Sequence, residues 1–167
     1  YIEGKRCGEA ICHAASASGI SAKVVRLSLA YGPGARPNDQ RVLYSLIERA
    51  IRDGRLVLRD QGLAWRTYCY VSDAVHMMWR VLLDGGKVVY NVGGKSRTTI
   101  RGLALTLGES MGVPVEIPEN SNGAIAGAPD DVSLDLSQYE AEFGPPRLLD
   151  LETGLSRTIA WHRGFAP

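Results

Sequence analysis

The fold is decided by one short apolar stretch, Lys23-Val-Val-Arg-Leu-Ser-Leu-Ala30, which stops at the turn-forming sequence Tyr31-Gly-Pro-Gly34. A short apolar run bounded by glycine and proline is typical of a strand that is buried in a parallel sheet. Residues 1–18 before it contain many helix-forming residues and no proline, and Gly19 stands where a left-handed cap ends a helix. The sequence therefore predicts a helix that leads directly into a buried strand.

Beyond this turn, three helices can be placed from their caps and apolar spacing. Asn38 or Asp39 can cap the first, Ser72 the second, and Thr98 or Thr99 the third. Each cap precedes apolar residues at helical spacing. In the second helix these residues form one stripe, which consists of Val75, Met78, Trp79 and Leu82.

Short strands are predicted between the helices. They cover residues 56–58, 66–71, 88–92 and 113–117. Residues 118–133 are predicted to form a loop and residues 137–143 a short helical turn, and Asp150 can cap a last helix. The alternation of strands and helices predicts an α/β fold.

Composition excludes several classes of protein. The chain has 167 residues, of which 45% are hydrophobic and 22% charged, and its formal net charge is +1. This balance gives no electrostatic reason to expect nucleic acid or a membrane surface as a partner, and no apolar run is long enough to span a membrane. Three cysteines without a framework spacing, and no visible signal peptide, favour a cytoplasmic location.

Two groups of residues invite a metal interpretation, and neither supports it. His76 is close to Asp73 in the sequence, but no third ligand is near. Cys7 and Cys12 are five residues apart, about 500° around a helix, so they point in different directions. We expect no metal site.

Tyr1 and Lys5 form a candidate catalytic pair. They are four residues apart, so on a helix their side chains share a face. A free tyrosine has a pKa of about 10, and a nearby ammonium group favours its phenolate form. A phenolate can remove a proton from a substrate hydroxyl while hydride leaves the carbon. On its own this spacing is a weak signal, because many solvent-exposed helices carry it by chance.

Four motifs make the signal specific through their order: Tyr1-x-x-x-Lys5, Arg26-Leu-Ser-Leu-Ala-Tyr-Gly-Pro33, Arg66-Thr-Tyr-Cys-Tyr-Val-Ser-Asp73 and Tyr90-Asn-Val-Gly93. The chain resembles the extended short-chain dehydrogenase/reductases, and among them the NAD-dependent sugar-nucleotide epimerases, dehydratases and decarboxylases. Its end, Gly154-Leu-Ser-Arg-Thr-Ile-Ala-Trp161, is similar to the last helix of that family.

The resemblance implies a division of the chain. Residues 1–33 would be the last part of a Rossmann-type doubly wound sheet. Residues 34–167 would form the smaller α/β substrate-binding region, with strands that can return to the Rossmann sheet.

The resemblance also implies roles for individual residues. Tyr1 would be the catalytic base, and Lys5 its electrostatic partner; both would contact the cofactor. Arg66 would hold the substrate diphosphate, for which a guanidinium fork is suited. Val42 would line the nucleotide pocket, although its spacing fits core packing equally well. Asn91 would contact the substrate, or only hold a turn in place.

The implied reaction is transient oxidation at C4 of a nucleoside-diphosphate sugar, followed by epimerisation, dehydration or decarboxylation. The implied cofactor is NAD, with NADP as the alternative, and the implied assembly is a homodimer.

Three positions depart from the family pattern. Leu29 occupies the slot of an asparagine, Arg59 that of an aromatic residue, and Pro129-Asp-Asp-Val132 follows where an arginine usually reaches the phosphate. Leu29 and Arg59 would still be the residues that face the substrate. Two carboxylates beside a diphosphate would repel it unless they point away. These departures predict an altered nucleotide, a different leaving group or loss of activity.

Other expectations follow from the first residue. The chain begins at Tyr1 without a methionine, and the Gly-x-x-Gly-x-x-Gly loop of this family is absent from it. We therefore expect a carboxyl-terminal fragment that is itself inactive, and whose exposed strand edge pairs with another copy or aggregates.

Two other functions remain open at this point. The first is a binding module without catalysis, in which Tyr1 and Lys5 are a relic. The second is a reductase of the same superfamily that acts on a carbonyl compound without a nucleotide. Arg66 separates the second from a sugar-nucleotide enzyme, because such substrates offer it no phosphate.

Overall fold

The first strand of the chain is interrupted at Ser28, and this break organises the architecture. The structure is a computed structural model that describes residues 1–36, 39–119 and 129–165. Its helices are α1 (Ile2–Ala17), α2 (Val42–Asp53), α3 (Val71–Asp84), α4 (Ile100–Met111), α5 (Ser137–Phe143) and α6 (Leu151–Phe165). Its strands are β1 (Val24–Leu27), β2 (Leu29–Tyr31), β3 (Leu56–Val57), β4 (Trp65–Tyr70), β5 (Val89–Val92), β6 (Ser96–Thr99), β7 (Val115–Glu116) and β8 (Asp131–Val132).

The strands form three small sheets. β1 pairs with β5 in parallel, and β3 pairs with β7 in parallel. In the third sheet β4 is central: it pairs in parallel with β2 and β8 and antiparallel with β6. The single strand predicted for 23–30 is therefore two strands that belong to different sheets. The backbone N–H of Ser28, at the junction, donates to Val92 O.

Two apolar cores lie on these sheets. The larger core is formed by α2, α4 and α6 against β2 and β4. The smaller core packs α3, β5 and α5 around residues that include Met77, Tyr90 and Tyr139. Each fully buried aliphatic side chain contributes roughly 1.5–3 kcal/mol to folding. The α/β fold class predicted from the sequence is confirmed, whereas the division into residues 1–33 and 34–167 stays a prediction.

The caps are partly as predicted. Thr99 accepts a hydrogen bond from Gly102 N at 2.9 Å, and Asp150 accepts one from Thr153 N at 2.8 Å. Ser72 is not a cap, because α3 already begins at Val71. Asp39 does not cap α2 either: its carboxylate binds the residue before the helix, Arg41. Asn38 lies outside the described residues.

The apolar stripe predicted on α3 does not face the core. Its members, Val75, Met78, Trp79 and Leu82, are 40–56% exposed. The buried side of α3 is formed instead by Ala74, Met77 and Val81. The helix is thus apolar on two sides, and only one of them is covered by the described residues.

The described ranges were searched for membrane-spanning helices and for groups of metal-binding side chains. None of the helices in them is long and apolar enough to cross a membrane. Within the same ranges no group of three or more His, Cys, Asp or Glu residues could hold a metal ion.

Candidate active site

One side of α1 carries Tyr1, Lys5 and Glu9. With about 100° per residue, these three positions span about 80° around the helix. The Lys5 ammonium lies 5.4 Å from the centroid of the Tyr1 ring, and Tyr1 is 97% exposed. The phenol and the ammonium are therefore adjacent and open to a ligand.

Glu9 connects this side of α1 to the sheet. Its carboxylate accepts two hydrogen bonds from Arg26 in β1, at 2.8 Å from Nε and 2.6 Å from Nη2. The bonded Arg26 guanidinium lowers the pKa of the Glu9 carboxyl below its usual value. This ion pair joins α1 to β1, whereas Tyr1 and Lys5 stay exposed.

Open α/β sheets bind their ligands at the carboxyl ends of their strands. In β1 this end is Leu27, one residue after Arg26.

Ser28 and Leu29 lie at this same end. The Ser28 hydroxyl oxygen is buried and has no hydrogen-bond partner among the described residues. It faces Gly93, where a Cβ would stand 2.7 Å from it. Leu29 is 39% exposed and pairs with Tyr68 of β4. Leu29 therefore presents apolar surface at this end of the sheet.

Arg66 lies on the same face of the β4 sheet as Leu29. It is two residues before Tyr68, and side chains alternate along a strand. Its Nη1 donates to Trp65 O at 2.6 Å and to Pro129 O at 3.0 Å. Arg66 is half-buried and holds the segment that leads into β8.

The carboxylate of Asp131 points away from Arg66. Asp131 pairs with Trp65 and Val132 pairs with Arg66, so Val132 shares the face of Arg66. Asp131 binds Arg97 at 2.6 Å, and Arg97 pairs with Thr67 on the opposite face. The sequence predicted that the carboxylate of Asp131 would repel a substrate diphosphate. Its ion pair with Arg97 and its direction remove this repulsion.

The other predicted residues are more widely spread. Val42 is the first residue of α2 and is 44% exposed, whereas Arg59 follows β3 and is also exposed. Asn91 lies in β5 and donates to Asp135 O at 2.8 Å, so its amide ties down a backbone segment. The structure brings Tyr1 and Lys5 together, and places Leu29 and Arg66 on one face of the sheet. It does not bring Arg59 or Asn91 into contact with them.

Sequence reasoning missed three polar residues near the site: Ser28, Glu9 and Arg41. Glu9 is four residues after Lys5, a spacing that could have revealed it. Arg41 donates from Nη1 to Ala30 O at 3.2 Å and binds Asp39 at 2.6 Å. The Arg41 guanidinium lowers the pKa of the Asp39 carboxyl. Ser28 lies inside the motif of residues 26–33 but was given no role there, and none of the four motifs contains Arg41.

Comparisons with known proteins find relatives of this chain. UDP-glucuronic acid decarboxylase 6 of Arabidopsis thaliana is 32% identical over 159 residues, which cover 93% of this chain and 45% of that protein. A UDP-glucuronic acid 4-epimerase from Bacillus cereus, solved with UDP-glucuronic acid and NAD, superposes with a TM-score of 0.79 at 21% identity, over 95% of this chain and 51% of that one.

A UDP-glucose 4-epimerase from Thermotoga maritima, solved with UDP-glucose, gives a TM-score of 0.76 at 26% identity, over 90% of this chain and 48% of that one. The chain thus spans about half the length of the relatives it matches. The model of the NAD-dependent epimerase/dehydratase family matches residues 1–93. The chain belongs to the NAD-dependent epimerase/dehydratase family.

Proposed function

We propose that the protein containing this chain oxidises C4 of a nucleoside-diphosphate sugar transiently and then epimerises, dehydrates or decarboxylates the sugar. The observation that carries the proposal is the placement of Tyr1 and Lys5. They are adjacent and exposed on the helix that precedes β1, and they open the order of motifs that is typical of this family.

Tyr1 is the base in this proposal. Its phenolic oxygen takes the proton of the C4 hydroxyl as the C–H bond breaks, and returns the proton when the hydroxyl is restored. The Lys5 ammonium lies 5.4 Å from the centroid of the Tyr1 ring, and in this proposal it stays beside the phenol during the proton transfer. General acid–base catalysis of this kind contributes about 10²–10⁴-fold to a rate.

The described residues fit part of a nicotinamide site. Tyr1 and Lys5 are open to a ligand, and Lys5 offers donors for ribose hydroxyls. NAD, when bound, would accept the hydride from C4 and return it. The pyrophosphate of the cofactor would be held by residues that this sequence does not contain.

Arg66 is the proposed diphosphate ligand. Its guanidinium lies on the face of Leu29, and Asp131 is turned to the opposite face by Arg97. A planar guanidinium binds phosphate oxygens in a bidentate manner. Leu29 provides an apolar contact at the position where the family pattern has an asparagine amide. The proposal therefore includes a less polar environment for the sugar or the ribose at this position.

The test uses the full-length protein with UDP-glucuronic acid, UDP-glucose and dTDP-glucose as substrates. Tyr1→Phe removes only the hydroxyl, and we expect it to lower kcat by about 10²–10⁴-fold. Lys5→Met should also lower kcat. Arg6→Met is the matched control, since Arg6 is a neighbouring cation on α1 that pairs with Glu3. Equal activity of Tyr1→Phe and the wild type would refute the proposal.

A further inference from the structure

Residues 129–132, called the β8 segment, are attached to β4 by backbone and side-chain contacts. Within this segment, β8 pairs with Trp65 and Arg66 of β4. The backbone N–H of Trp65 also donates to Asp130 O at 2.7 Å, and the Thr67 hydroxyl donates to the last carbonyl of β8 at 3.3 Å. The β8 segment therefore runs along the first half of β4.

Arg97 reaches over β4 to the β8 segment. β6, which carries Arg97, and β8 both pair with Arg66, so they lie on opposite edges of β4. The Arg97 guanidinium carbon stands 4.2 Å from the centroid of the Trp65 ring, and its Nη2 donates to Asp131 Oδ2 at 2.6 Å. Arg97 thus joins the two edges of β4 across the ring of Trp65.

The β8 segment in turn holds the guanidinium of Arg66. Arg66 Nη1 donates to Trp65 O at 2.6 Å and to Pro129 O at 3.0 Å, which uses both hydrogens of this nitrogen. Within the described part of the chain, nothing accepts a hydrogen bond from Nε or Nη2 of Arg66. A guanidinium binds phosphate oxygens through two parallel N–H groups, and Nε and Nη2 form such a pair. The two carbonyls therefore fix the plane of the guanidinium and leave this pair for a ligand.

Pro129 O can fix this plane only while the β8 segment stays in place. β8 is two residues long, so few backbone hydrogen bonds hold it. The ion pair of Arg97 with Asp131 and the stacking of Arg97 on Trp65 add two contacts. Exposed contacts of these kinds are individually weak. They matter here because they act on a segment with few backbone bonds of its own.

We propose that Arg97, Asp131 and Trp65 are positioning residues, which hold the β8 segment and thereby fix the Arg66 guanidinium for the substrate diphosphate. The inference rests on the proposed function, in which Arg66 is the diphosphate ligand. None of the three residues touches the substrate in this proposal. The carboxylate of Asp131, which the sequence predicted to repel a diphosphate, supports its binding instead.

The test is UDP binding to the full-length protein, measured by calorimetry. Asp131→Asn separates two explanations, because they predict opposite signs. If the carboxylate only repels the diphosphate, its removal should tighten UDP binding. The positioning role predicts that UDP binding becomes about 3–10-fold weaker. Unchanged or tighter binding would overturn the inference.

Arg97→Met should weaken UDP binding by a similar factor, and it should act only through Arg66. In a protein that already carries Arg66→Ala, Arg97→Met should therefore have no further effect. Equal losses with and without Arg66→Ala would show that Arg97 acts on UDP by another route, and would contradict the positioning role. Arg55→Met is the matched control and should leave UDP affinity unchanged, because Arg55 forms an exposed ion pair with Glu116, at 3.2 Å, beside another sheet.

Hydrogen exchange tests the structural step without a ligand. The amide of Trp65 donates to Asp130 O, so its exchange rate reports whether the β8 segment stays on β4. We expect this amide to exchange several-fold faster in Asp131→Asn and Arg97→Met than in the wild type or Arg55→Met. An unchanged rate in both variants would show that the ion pair does not hold the segment.

The outcomes separate this inference from the function on which it rests. If the full-length wild type does not bind UDP, or if Arg66→Ala binds it as tightly, the proposed diphosphate site is wrong and the inference falls with it. If Arg66→Ala weakens UDP binding and Asp131→Asn does not, the inference alone is overturned.

Discussion

Gly94 should be essential for joining the strand end of β5 to β4. A Cβ at this position would overlap the carbonyl oxygen of Tyr68, and would stand 2.8 Å from the carbonyl carbon and 2.9 Å from the Cα of Cys69. These are backbone atoms of β4, which is paired on both sides. They cannot move aside as the end of a flexible side chain could.

The cost of Gly94→Ala follows from this overlap. Overpacking a well-packed site costs typically 1–3 kcal/mol, and the need to shift backbone places this variant at the upper end, at about 3 kcal/mol. For a chain of this size about 1 kcal/mol corresponds to 2–4 °C. We therefore expect Tm to fall by about 6–12 °C.

The assay is urea unfolding followed by circular dichroism, with a thermal scan in parallel. Gly8→Ala is the matched control, because nothing lies within 4 Å of a Cβ at this position in α1. Alanine for glycine in a helix should leave the free energy of unfolding unchanged or raise it by up to about 1 kcal/mol. If Gly94→Ala unfolds at the same urea concentration as the wild type, the close approach of β5 to β4 is wrong.

Three further outcomes are expected. Burial lowers the pKa of His162 below 6.5, so the unfolded state binds the proton more readily than the folded state. The free energy of unfolding should therefore fall as pH drops below about 6.5. In urea titrations at several pH values, His162→Gln should remove this dependence on pH. Arg66→Ala should weaken UDP binding to the full-length protein by about 10–100-fold in calorimetry. Arg101→Ala, which changes an exposed arginine of α4, should leave UDP binding unchanged. Equal UDP affinities of Arg66→Ala and the wild type would favour a substrate without a diphosphate. Leu155→Ala, at a fully buried site, should lower the free energy of unfolding by about 2–5 kcal/mol, whereas Leu83→Ala, which is 72% exposed, should change it by less than about 0.5 kcal/mol.

Local patterns predicted the elements well where one side of a helix is apolar. In α2 most residues at helical spacing are buried, and Val42, at 44% exposure, is the exception at its first position; the helix ends at Gly54 in a left-handed conformation. In α3 the same reasoning does not identify the buried side. This helix has apolar residues on two sides, and the sheet contacts the side of Met77, which the pattern alone cannot show.

The break at Ser28 could not be predicted from the stretch 23–30. The residues around Ser28 read as one strand, and the interruption arises because Val24–Leu27 pairs with β5 whereas Leu29–Tyr31 pairs with β4. These partners are about 40–65 residues away in the sequence. Register across such distances depends on the assembled sheet, so it is not a local property.

The residues of the candidate site that lie in the family's motifs could be predicted from the sequence. The directions of side chains that depend on ion pairs between distant residues could not. Tyr1, Lys5 and Arg66 were found from the order of motifs, and their roles stay predictions. The direction of Asp131 depends on Arg97, which is 34 residues away. The ion pair of Glu9 with Arg26 joins residues 17 apart, which only the folded chain brings together.

Transient oxidation at C4 is the central claim, and an isotope effect tests it most directly. The measurement is the single-turnover rate of the full-length protein with UDP-glucuronic acid that carries either hydrogen or deuterium at C4. The account predicts slower turnover of the deuterated substrate, because the C4–H bond breaks in the reaction, and loss of turnover for both substrates in Tyr1→Phe. Equal rates for the two substrates, together with full activity of Tyr1→Phe, would contradict it.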